Sequence, residues 1–253
     1  AFFQEMALDL RKNDGGPAWD WRDFFSLIAI SCLMAIFYYW GRPRFYRLTF
    51  QRDFADFFQT GGDELLYGLL PYGYWALGSV VIRMLIPCLI IWFVFHESIR
   101  DYGYRLKGMV QHGRIYLLLY LVMLPVVVGV SYTAPFQNKY PFYRNAMLGL
   151  DHFLSYQICY GIQFIALEAF FRGFMLFALA RRFGYYAIPI MAIPYCMIHF
   201  GKPMPETFAA IAAGIILGFM CLKTRSIWMG AALHISVALT MDLCSLWRAG
   251  RFD

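Results

Sequence analysis

The chain has 253 residues, of which 60% are hydrophobic, 20% aromatic and only 15% charged, with a mean hydropathy of +0.52 and a net charge of +6. Apolar runs in that proportion exclude a soluble domain and define an all-α, polytopic transmembrane helix bundle. The positive charge does not indicate nucleic acid, because Lys and Arg are scattered over short loops between apolar runs.

In chain order, residues 1–16 lack the basic start, apolar stretch and cleavage site of a signal peptide and read as a short interfacial helix. About seven membrane helices follow. They run from about Phe24 to Trp40, Tyr74 to Phe95, Ile115 to Tyr132, His152 to Ala180, Tyr185 to His199, Glu206 to Leu222 and Ile227 to Trp247. At ~1.5 Å per residue most are long enough to cross ~30 Å of hydrocarbon. The fifth is marginal and carries Pro189 and Pro194, which kink it or stop it short. Between the first two, GRPRFYRLTFQRDFADFFQTGGDELLYG alternates Arg with aromatic residues and reads as an interfacial helix broken by Gly61 and Gly62, with a re-entrant segment as the lesser alternative. Ala210, Gly214 and Gly218 form a small-residue stripe that permits close helix packing. The six cysteines contain no CxxC pair and read as packing residues. Residues 1–150 are expected to supply N-terminal membrane helices and interfacial segments, and 151–247 the core that carries the chemistry, within one integral domain.

The informative residues are ionisable groups inside apolar segments. A charge in a bilayer is costly, so such groups pair up or line a functional cavity. Glu168 and Arg172 are four apart and share a helix face. Alone, they read equally as a buried ion pair or as a carboxylate tuned for proton transfer. His199 ends the fifth helix, where a structural hydrogen-bonder is the common role. His234 lies well inside the seventh, and Asp242 lies two turns beyond it. Glu206 opens the sixth helix, where it complements the helix dipole or, with Lys202, flanks the mouth of a site. Arg83 lies inside the second helix and is expected to pair with an acid. Two histidines and a glutamate on three neighbouring segments favour one shared site.

LEAFFRG, YCMIHFG and LHISVALTMD resemble the three motifs of the CPBP family. That family comprises CAAX prenyl endopeptidases and bacteriocin-processing or immunity proteins, and is also called the abortive-infection family. Its pattern is EExxxR, FxxxH and HxxxN or HxxxD on successive helices. The resemblance covers roughly residues 150–247. It implies that Glu168 and Arg172 take the second Glu and the Arg of the first motif. Tyr195 replaces the Phe of the second, His199 is its His, and His234 is the His of the third. Leu167 replaces the first Glu, and Ala238 stands at the Asn or Asp position, with Asp242 one turn further.

The resemblance implies a glutamate-dependent intramembrane endopeptidase. Glu168, His199 and His234 are its expected catalytic residues, supported by Arg172, Glu206 and Asp242. Glu168 is the expected base and Arg172 its orienter. No cofactor is favoured. Zinc is the variant, with Glu168, His199 and His234 as ligands. The expected partners are membrane lipids and a membrane-associated, prenylated or secreted peptide. The expected location is the bacterial inner membrane, with a eukaryotic endomembrane as the other setting. The alternative function is a catalytically inactive scaffold or bacteriocin-immunity protein of the same fold.

Overall fold

The computed structural model describes residues 20–57, 64–106 and 109–250. The expected N-terminal interfacial helix and the Gly61–Gly62 break lie outside them. Among the described residues there is no strand, only one isolated bridge between Tyr104 and Ser226.

Helix α1 is Trp21–Trp40, capped by the Asp20 carboxylate on the Arg22 amide. Two short helices follow, α2 (Pro43–Thr49) and α3 (Gln51–Phe57), in the segment read as interfacial. Helix α4 is the run Glu64–Val94. It begins about ten residues before the expected Tyr74, because the chain stays helical through Pro71. Helix α5 is Gly113–Ser131 and α6 is Ala134–Lys139. Helix α7 (Leu150–Glu168), a π-helical stretch (Ala169–Met175) and α8 (Leu176–Phe183) form one continuous rod. Helices α9 (Ala187–Met197), α10 (Met204–Thr224) and α11 (Trp228–Arg248) complete the bundle.

Among the described residues, six runs are long and apolar enough to cross a membrane, and together they make this an integral membrane protein. Seven passes become six runs because the fourth and fifth expected helices join in Leu150–Met197. The chain reverses within that run at Gly184, whose φ of +54° favours glycine. The reversal brings Tyr195 back onto Phe171, ring centroids 5.3 Å apart. Helix α9 alone has 11 residues and spans only ~16 Å at 1.5 Å per residue.

The Leu150–Met197 run is 89% buried in its apolar window, against 11% for α5. It is therefore the axis around which the others pack. On one face, α9 packs against α10. On others, α4 and α11 cover α7, and α5 lies outside α11. The small-residue stripe serves the α9–α10 contact: a Cβ on Gly214 would lie 3.2 Å from that of Ala192, and one on Gly218 would lie 2.9 Å from Ile188. At one end of the bundle, Glu97 ties α1 to α8 by accepting from Arg22 at 3.0 Å and from Arg181. All six cysteines are free.

Candidate active site

The first motif lies where the central rod changes its winding. The α-helical ladder ends at Glu168, and Ala169–Met175 follow as a π-helix that holds Arg172. Such insertions recur at functional sites. Arg172 Nη1 donates to Glu168 Oε1 over 2.9 Å, with both side chains at most 1% exposed. The Arg172 guanidinium sits 3.8 Å from the centroid of the Tyr195 ring, so α9 covers the pair. Helix α11 closes the other side. Its Gly230 approaches so closely that a Cβ there would lie 3.2 Å from Glu168 Oε2.

His234, one turn beyond Gly230, donates from Nδ1 to the same Glu168 Oε1 over 3.0 Å. A carboxylate only accepts, so the Nδ1 proton is fixed and Nε2 is left free. Phe164 supports the ring, centroids 4.2 Å apart. His199 follows α9 and donates from Nδ1 to the Tyr195 carbonyl over 2.9 Å. Its Nε2 is likewise free to accept. Burial, with Lys202 nearby, pushes its pKa down to about 2, so the ring is neutral.

Two cavities meet at these histidines. The first, about 250 Å³, is an apolar groove lined by side chains such as Val122, Val126, Ala213 and Ile216. The second, about 360 Å³, is lined by Arg42, Arg47, Arg83 and Lys139 and, among the described residues, by no Asp or Glu. Tyr160, Phe164, His199, Lys202 and His234 line both.

Glu168 lines neither cavity; it stands behind His234. Glu206 lies on the groove, where it accepts from Tyr140 Oη and Lys202 Nζ, each at 2.6 Å. Asp242 is buried, accepts from Gln157 at 2.7 Å and lines neither cavity. Ala238 itself lines the groove, and Leu167 lines the basic cavity. Arg83 does not meet an acid among the described residues. It donates to Gln163 Oε1 at 3.3 Å and lies 3.5 Å from the Phe37 ring centroid.

The zinc ligand set does not assemble. Among the described residues no three His, Cys, Asp or Glu side chains are grouped so as to hold a metal ion. The Glu168 oxygen that faces His234 already accepts from both Arg172 and His234.

The sequence does not announce the basic cavity. Its signal was the Arg–aromatic alternation of residues 42–47, which reads equally as a membrane-surface helix. Tyr160 and Phe164 carried no signal beyond helical spacing.

Residues 153–240 match the family model described as type II CAAX prenyl endopeptidase, Rce1-like. The match spans all three motifs and is consistent with the CPBP resemblance. It supports a CAAX-type intramembrane endopeptidase in general terms. No curated protein and no solved structure matches the chain.

Proposed function

We propose that this protein is an intramembrane endopeptidase that hydrolyses a lipid-bearing peptide, with the Glu168–His234 pair as its proton-transfer unit. The observation that carries the reading is the meeting of an apolar groove and a polar cavity at His199 and His234, with Glu168 hydrogen-bonded behind. The groove suits an isoprenoid or acyl chain, and the polar cavity suits peptide.

A water between the two free Nε2 atoms donates to His199 and to His234. Its oxygen attacks the scissile carbonyl carbon as its proton passes to His234 Nε2. The proton then moves to the departing amine nitrogen as the C–N bond breaks. Glu168 holds the His234 tautomer and faces the imidazolium that forms, as a carboxylate does behind a catalytic histidine. Arg172 orients Glu168. His199 accepts and does not donate, so oxyanion stabilisation falls to Tyr160 and Lys202, which line both cavities.

The test is cleavage of a prenylated peptide by the purified protein in vesicles, read by mass spectrometry. His234→Asn keeps a donor towards Glu168 and loses the basic nitrogen. A loss of about 100-fold or more is expected. Undiminished cleavage by His234→Asn overturns the assignment. A second reading, an inactive scaffold, is favoured by the apolar Leu167 and Ala238 on the cavity walls. Binding without cleavage by the wild-type protein selects it.

A further inference from the structure

The basic cavity holds four cations for which the reaction above has no use. Arg42 and Arg47 reach it from the segment after α1, Arg83 from α4, and Lys139 from the end of α6. Among the described residues, none of the four forms an ion pair. Their partners are neutral. Arg42 lies 4.0 Å from the Tyr38 ring centroid, Arg47 donates to Tyr72 Oη at 3.1 Å, and Lys139 donates to the Gly201 carbonyl at 3.0 Å.

Arg83 is the most demanding of them. It is 7% exposed and lies within a membrane-spanning run. One neutral oxygen and one aromatic face replace little of the hydration lost by a guanidinium. It sits in a π-helical stretch, Val80–Leu85, which packs against the π-helical stretch that carries Arg172. Four like charges around one cavity also repel one another. An entering oxyanion relieves both costs and gains charge-assisted hydrogen bonds.

We infer that the basic cavity is an oxyanion subsite that takes the free α-carboxylate of the substrate's C-terminus, with Arg83 as its anchor and Arg42, Arg47 and Lys139 around it. This rests on the peptidase reading. A carboxylate held there fixes the distance from the peptide's end to the histidine pair, which lines the same cavity. The enzyme would then measure its cleavage point from the C-terminus. The phosphate of an anionic lipid offers the same chemistry, and the test separates the two.

The full chain is reconstituted in phosphatidylcholine vesicles and titrated with a fluorescent prenylated peptide whose scissile amide is N-methylated. The peptide ends in a free carboxylate or in a carboxamide. The acid should bind the wild-type protein about 10- to 100-fold more tightly than the amide, the range for a hydrogen bond between charged groups. Arg83→Gln should reduce the ratio towards one, and Arg83→Lys should restore part of it. Equal affinities in the wild type, or full discrimination in a folded Arg83→Gln protein, overturn the subsite. If Arg83→Gln fails to fold, the double variant Arg42→Gln/Arg47→Gln at the same cavity takes its place, and an unchanged ratio there overturns it too. In a second arm the vesicles contain phosphatidic acid. Arg83-dependent retention of that lipid, with no preference between acid and amide peptide, assigns the cavity to lipid phosphate and overturns the subsite. Because the readout is binding, absence of cleavage bears on the proposed reaction alone.

Discussion

His234 Nδ1 and Glu168 Oε1 lie 3.0 Å apart, and Arg172 Nη1 reaches the same oxygen at 2.9 Å. One carboxylate oxygen thus links three helical segments: the end of α7, the π-helical stretch after it, and α11. The same contact that holds the bundle axis also sets the tautomer of His234.

That double duty has a measurable signature. Glu168→Gln should abolish cleavage and also lower thermal stability, since it leaves the Arg172 guanidinium buried without its anion. Removing one partner of a buried pair costs about 3–5 kcal/mol. Glu168→Gln/Arg172→Met should be less destabilised than the sum of the single changes while remaining inactive. Additive melting-temperature losses would show that the two residues are not coupled.

Gly230 separates geometry from stability. Alanine there favours the helix by about 0.5–1 kcal/mol, but its Cβ would lie 3.2 Å from Glu168 Oε2. The carboxylate must shift by a few tenths of an ångström, and the His234 ring moves with it. Gly230→Ala should keep its melting temperature within a few degrees yet lose about tenfold or more in kcat/KM, given how steeply rate depends on placement. Unchanged kcat/KM would mean that the carboxylate position does not govern the reaction.

The bundle was legible because membrane helices announce themselves by length and hydropathy, and α1, α5, α10 and α11 begin and end within a few residues of expectation. The motif residues were legible because Glu168, His199 and His234 are polar in apolar runs. Which of them faces the cavity was not. Spacing places Glu168 and Arg172 on one face but does not say which face meets the cavity, and the structure seats Glu168 behind His234. The π-helical winding of Ala169–Met175 leaves no mark in hydropathy. Arg83 reads as half of an ion pair because a buried charge normally has a counter-charge, and its neighbours Gln163 and Phe37 come from distant parts of the chain.

The α9–α10 contact offers a test of packing. In Gly214→Val the first carbon alone would lie 3.2 Å from Ala192 Cβ and 3.3 Å from the Tyr195 ring. Overpacking of this kind costs about 1–3 kcal/mol. Because Tyr195 lies against both Arg172 and His199, activity should fall with stability. Gly129→Ala in α5, with open space around it, should leave activity unchanged and raise stability slightly, by about 0.5–1 kcal/mol. Equal melting temperatures for Gly214→Val and wild type would show that α10 does not press on α9 there.

His199 makes stability depend on pH. Burial first, and Lys202 second, hold its ring neutral in the fold, with its pKa depressed to about 2. In the unfolded chain a histidine titrates near pH ~6.5. Below that value the unfolded state takes up a proton that the native state refuses, so unfolding is favoured progressively as pH falls. The contribution is fully present above pH ~6.5 and is lost at up to about 1.4 kcal/mol per pH unit beneath it. His199→Gln removes the titrating group while keeping a side-chain amide that can donate to the Tyr195 carbonyl. Its melting temperature between pH 7 and pH 5 should therefore fall less steeply than that of the wild type, by the equivalent of one proton. Parallel slopes in the two proteins would show that His199 takes up a proton in the fold as readily as in the unfolded chain, and would overturn its reading as a buried ring held neutral.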